Sequence, residues 1–190
     1  VVGSRIPRLA AAVTVGFALG VAGALFQSLA RNAIASPDTL AVTGGAYLAV
    51  TVVAAFGLSV PIWASGAVAF LGGLAAAVVV LGLAGGAGTS TTRLVLAGSA
   101  VAMALQSGTA ALLILFEEET TSLFAWGSGS LSQLGLDAFW QALPVVALAT
   151  AAALLLSRRL DLLGLGDDTA GVLGVPVRAT RAAGTILAVL

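Results

Sequence analysis

Arg5 and Arg8 stand three residues apart around Pro7, so on a helix both guanidinium groups share one face and can meet acidic side chains or lipid headgroups. Asn32, Thr91 and Thr92 are neutral hydrogen-bonding groups of the kind that cap helix ends. Asp167, Asp168 and Thr169 read as the acidic start of a short helix that Gly174 and Pro176 then stop. Charge pairing and capping are within reach of these groups, and bond making is not. The sequence has no His and no Cys, which removes thiolate nucleophiles and the commonest metal ligands. Any metal is therefore cargo, no cofactor is implied, and no Ser/His or paired-carboxylate constellation lies in the apolar runs.

The elements that position these residues must sit in lipid. Of 190 residues 59% are hydrophobic and 8% charged, with a mean hydropathy of +1.12, whereas a soluble domain carries about 25% charged residues. Apolar runs of the ~20 residues that a helix needs to cross a bilayer lie at Leu9 to Ala30, Ile62 to Leu83, Leu94 to Phe116 and Ala138 to Leu156. Gly44 to Leu58 is shorter and is counted as a fifth span, and a sixth starts at Ala182. None alternates with the period of two that a membrane β-barrel requires, so the fold expected is an all-α, polytopic helical bundle. The chain opens without an initiator Met and stops within a helical pattern, so residues 1–190 read as one transmembrane domain truncated at both ends. Small residues recur at helical spacing, as in Gly16, Gly20 and Gly23 and in Gly66, Gly72 and Gly73, and are expected to bring helices together.

Eight arginines balance eight acids, so no global charge points to nucleic acid as a partner. The first, third and fifth connections between spans hold Arg31, Arg93, Arg158, Arg159, Arg178 and Arg181, while the second and fourth hold no arginine. Positive charge favours the cytoplasmic side, which places the odd connections inside and starts the chain outside. Arg5 and Arg8 are the exceptions, and Glu117-Glu118-Glu119 falls in an external, wet loop. The spans carry neutral groups such as Thr14, Gln27, Ser99 and Ser107 rather than ionisable ones, which argues against proton- or sodium-driven transport.

Six ordered blocks carry a resemblance. Arg5-Ile6-Pro7-Arg8-Leu9, Gly23-Ala24-Leu25-Phe26-Gln27, Arg31-Asn32-Ala33-Ile34-Ala35-Ser36-Pro37-Asp38, Thr91-Thr92-Arg93-Leu94, Trp126-Gly127-Ser128-Gly129-Ser130-Leu131 and Leu162 to Ala170 with Leu173-Gly174-Val175 together resemble the FecCD-type permeases of ATP-binding-cassette importers. That resemblance implies a ten-helix subunit importing ferric siderophores, haem or cobalamin across a bacterial inner membrane. It also implies a second permease subunit, identical or different, two cytoplasmic ATPases that carry all hydrolysis, and an external substrate-binding protein.

The resemblance further implies roles. Arg5 and Arg8 would dock the binding protein, the alternative being interfacial anchoring. Asn32, Ile34, Thr91 and Thr92 would form the cytoplasmic gate, the alternative being helix capping; the family's common Asn-Pro-Leu is Asn32-Ala33-Ile34 here, which removes a fixed dihedral. Residues 157–181 would be the coupling loop on the ATPase, with Leu160, Leu163 and Leu165 as its apolar patch and Gly166, Asp167, Asp168, Thr169, Leu173 and Gly174 completing it. The alternative is a helix lying on the membrane surface. The rival for the whole is an ion-coupled secondary transporter or channel-like subunit without nucleotide coupling.

Overall fold

A computed structural model describes residues 2–33, 35–58, 60–86, 91–127 and 136–190. Among them lie the helices α1 Val2–Ala30, α2 Val42–Ala55, α3 Ile62–Ala84, α4 Thr91–Leu115, α5 Glu117–Gly127, α6 Leu136–Gly164, α7 Asp167–Val172 and α8 Val177–Val189, with a 3₁₀ turn at Pro37–Leu40 and no strand among the described residues.

Among the described residues four helices contain stretches long and apolar enough to cross a membrane: Arg5–Ala30, Ala64–Ala84, Thr92–Leu115 and Phe139–Gly164. The fifth apolar run is different. Helix α2 has 14 residues and so reaches about 21 Å at 1.5 Å per residue, short of a hydrocarbon core of about 30 Å. Helix α1 starts ahead of the apolar run, so Pro7 lies inside it rather than at its first residue. The acidic run read as a wet loop forms the first turn of α5, where three carboxylates face the positive end of the helix dipole.

Two compact units divide the chain. Residues 1–36, 131–188 and 190 form the first, and residues 37–130 and 189 the second. In the first, α1 packs along α6, and α7 folds back against α6. Its interior is built from Leu25 and Phe26 of α1, Ala153, Leu156, Leu160 and Leu163 of α6, and Ala170 and Val175 around α7.

In the second unit α2 packs against α3 and α4. Gly45 and Gly72 meet at the α2–α3 crossing, where a Cβ on either would stand closer than 3.0 Å to the backbone of the other. This is the close approach that small residues permit where lipid gives helices no hydrophobic reason to associate. A Cβ on Gly16, Gly20, Gly23 or Gly66, expected to act in the same way, would meet no atom of another element within 4 Å among the described residues. Helix α5 is keyed to α2 by Tyr47, whose hydroxyl donates to the Leu123 carbonyl at 3.2 Å, and whose ring fills the space beside Gly127.

Four threonine and serine hydroxyls in the apolar helices are satisfied within their own helix. Thr14 donates to the Ala10 carbonyl at 2.9 Å, Thr51 to Tyr47 at 2.8 Å, Ser107 to Met103 at 2.9 Å and Thr109 to Leu105 at 2.9 Å. Bonds of this kind remove the cost of carrying a polar group into hydrocarbon.

Candidate functional site: two arginines on Asp167

Helix α1 ends in a C-terminal turn that an arginine holds. The Asn32 amide donates to the Gln27 carbonyl at 3.1 Å and the Arg31 amide to the Ser28 carbonyl at 3.4 Å, the paired bonds of a Schellman cap. Arg31 occupies its left-handed position, with φ 49°, where glycine is usual and any other L-residue costs about 1–2 kcal/mol. The side chain beyond that strained backbone pairs with Asp167.

Asp167 opens α7. Gly166 precedes it with φ 114° and ψ 151°, a conformation essentially reserved to glycine. At the other end Gly174, with φ 82°, closes the helix: its amide donates to Gly171 at 3.0 Å and that of Val175 to Ala170 at 2.9 Å. Val175 and Ala170 are both buried, so the turn is pinned by an apolar contact as well. From α8 Arg181 reaches back, its terminal nitrogen 2.9 Å from one Asp167 oxygen and 3.0 Å from the other. One carboxylate thus holds two guanidinium groups, from residues 136 and 14 positions away.

The Asp167 carboxyl is held below the usual carboxylate range, first by the hydrogen bond from Arg181, against an opposing push from burial, and then by the charges of Arg181 and Arg31. Its side chain is 40% exposed and that of Arg181 18%. The cluster therefore sits at a wet edge, anchored on its α8 side.

Around this cluster the expected loop is reorganised. Residues 157–164 belong to α6, which continues through Arg158 and Arg159 to Gly164. Leu160 is 5% and Leu163 2% exposed, so neither contributes to an outward patch. Ala153, Leu156, Leu160 and Leu163 form one continuous buried face at helical spacing, and a charged pair on the opposite side does not end a helix. The apolar surface that does face outward is Leu165, at 64%, with Val172, at 89%, and Leu173. Asp168, Thr169 and Gly174 are exposed beside it, and Gly166 is half-buried.

Elsewhere, Arg5 and Arg8 are both exposed on α1, with Pro7 buried between them. Asn32 belongs to the first unit and Thr91 and Thr92 to the second. The threonines do not lie in a loop: they form the first turn of α4. Ile34 lies outside the described residues. Next to it, the Ala33 carbonyl accepts from the Gln27 side-chain amide at 2.8 Å, a tether on a segment that lacks the family's proline.

The sequence pattern of the FecCD transport family matches residues 1–190. The chain belongs to the FecCD transport family. It is 41% identical over 189 residues to the ferric enterobactin transport system permease protein FepD of Escherichia coli, covering 98% of this chain and 56% of that one. Identity to the hemin transport system permease protein HmuU of Yersinia pestis is 32% over 182 residues, covering 93% and 54%. A solved structure described as an inward-facing metal-chelate type ABC transporter superposes with a TM-score of 0.80 at 25% identity, over 98% of this chain and 60% of that one. The chain thus spans a little over half the length of these two permeases. The membrane fold expected from the apolar runs is that of the family.

Arg31, Arg181 and Val172 were not among the residues to which the sequence assigned a site role. For the arginines the one available signal was charge: a lone acidic pair in a connection assigned to the same side of the membrane as Arg31. For Val172 there was none, because one valine in a six-residue helix makes no pattern.

Proposed function

We propose that the chain forms part of the permease subunit of an ATP-driven importer for ferric siderophores or a related chelate such as haem. The observation that carries the reading is the match over all 190 residues to a family whose named relatives are transport permeases for ferric enterobactin and hemin. In this reading ATP is hydrolysed by a separate cytoplasmic ATPase, and the permease contributes a path and a lever. The lever is α7: Leu165, Val172 and Leu173 give it an apolar face to seat in a groove of the ATPase, and Asp168 and Thr169 give that face a polar rim. Arg5 and Arg8 receive acidic side chains of an external binding protein, charge pairing that sets orientation and encounter rate. Asn32, Ile34, Thr91 and Thr92 line the cytoplasmic gate of the path, which a second permease subunit completes.

The test is uptake of radiolabelled ferric chelate by proteoliposomes containing the complete permease, its ATPase and its binding protein, with and without ATP. ATP-dependent uptake that is lost when Leu165, Val172 and Leu173 are changed together to Asp supports both importer and lever. Uptake indifferent to ATP refutes the importer, and uptake unaffected by the three changes refutes the lever.

A further inference from the structure

Helix α7 has six residues, too few to be stable by propagation of its own hydrogen bonds. Glycines in conformations that other residues avoid flank it at both ends, Gly166 and Gly174. A short helix between two such points would swivel unless something fixed its direction. Ala170 and Val175, both buried, anchor its C-terminal end. At its N-terminal end the attachments given by side chains are the ion pairs of Asp167 with Arg31 and Arg181.

We propose that Asp167 is a positioning residue, and that its joint hold by Arg31 at the end of α1 and Arg181 on α8 makes α7 move as one body with those two helix ends. The proposal rests on the transport reading above and deepens it: a displacement of the apolar face of α7 reaches α1 directly through a salt bridge, not only along the chain through α8. Three features support it. The guanidinium groups come from separate elements and converge on one carboxylate, so the contact ties three elements rather than two. Arg181 reaches both carboxylate oxygens through one terminal nitrogen, a charge-assisted contact stronger than a neutral hydrogen bond. Arg31 keeps a strained backbone at a position where glycine would be relaxed, so its side chain has a use that the turn alone does not explain.

The strain also supplies a clean variant. Arg31→Gly removes the side chain while suiting the turn, so loss of the ion pair is separated from loss of the fold. In proteoliposomes of the complete transporter, chelate taken up per ATP hydrolysed is expected to fall by about fivefold or more in Arg31→Gly, the lower end of typical coupling between sites, while the ATPase still co-purifies. Arg181→Gln and Asp167→Asn should lower the same ratio, and Arg31→Gly combined with Asp167→Asn should be no worse than Asp167→Asn alone, because the carboxylate is the shared partner of the cluster. Instability alone would lower the amount of complex and leave this ratio unchanged. A ratio within about twofold of the unaltered transporter in Arg31→Gly overturns the proposal. Hydrogen exchange of the 167–173 amides is the second readout, independent of transport: faster exchange in Arg31→Gly supports the hold, and unchanged exchange overturns it. Should the unaltered transporter show no ATP-dependent uptake, the transport reading fails and the exchange measurement still decides the hold.

Discussion

Replacing Gly72 by Ala probes whether α2 and α3 are locked by backbone proximity. A methyl group at Gly72 lands closer than 3.0 Å to both the Ala49 Cβ and the Gly45 carbonyl oxygen, where ordinary contact begins at 3.4 Å. The oxygen is main chain and cannot rotate away, so the helices must separate. Overpacking of this kind costs about 1–3 kcal/mol, and the better helix propensity of Ala returns up to about 1 kcal/mol. With the full return the net expectation is a loss of up to about 2 kcal/mol. A Cβ on Gly66, on the same helix, would meet no atom of another element within 4 Å, so Gly66→Ala should gain a few tenths to about 1 kcal/mol. Unfolding of both variants in detergent, titrated with sodium dodecyl sulfate and followed by circular dichroism, gives the two shifts under one set of conditions. Opposite signs are expected. A Gly72→Ala midpoint equal to or above that of the unaltered protein would refute the claim that this crossing is set by the absence of a side chain.

Two further outcomes follow from the reorganised loop. Leu163→Ala, at a site 2% exposed, should destabilise the chain by about 2–5 kcal/mol, whereas Leu165→Ala should stay within about 0.5 kcal/mol and, under the proposed function, weaken capture of the proposed ATPase partner instead; the same titration and a co-purification assay separate the two. Because the arginines hold the Asp167 carboxyl below its usual range, its contribution to stability is complete above the ordinary value of about 3.9 and is lost as pH falls through the lower folded-state value. The difference in unfolding midpoint between the unaltered protein and Asp167→Asn should therefore be constant from about pH 8 to pH 5 and shrink only below about pH 4, and a difference that vanished near neutral pH would contradict the ion-pair geometry.

The spans were legible because a run of apolar residues long enough to cross a bilayer admits few other readings. Their ends were less so. Helix α6 runs eight residues past Leu156 because Arg158, Arg159, Leu160, Leu162 and Leu163 are good helix formers that a membrane boundary does not interrupt. The spacing of Ala153, Leu156, Leu160 and Leu163 carried that continuity in the sequence, as the three-four-three step of one buried face. Taking the charged pair as the start of a loop assigned Leu160 and Leu163 to the surface. Helix α2 shows the reverse: its composition is that of a span, and only its 14 residues distinguish it.

The Asp167 cluster was legible only in part, for a physical reason. Two arginines and one aspartate sum to a net charge of +1, so the site keeps its contribution to the positive-inside bias while also making a specific contact. A count of charges per connection registers the first property and cannot register the second, since Arg31 and Asp167 are separated by 136 residues. What joins them is the packing of α1 along α6, which brings the ends of both helices to one level. A left-handed arginine at the end of α1, in place of a glycine, is the local sign that the position is used for its side chain. The sign becomes readable only when φ at Arg31 is known.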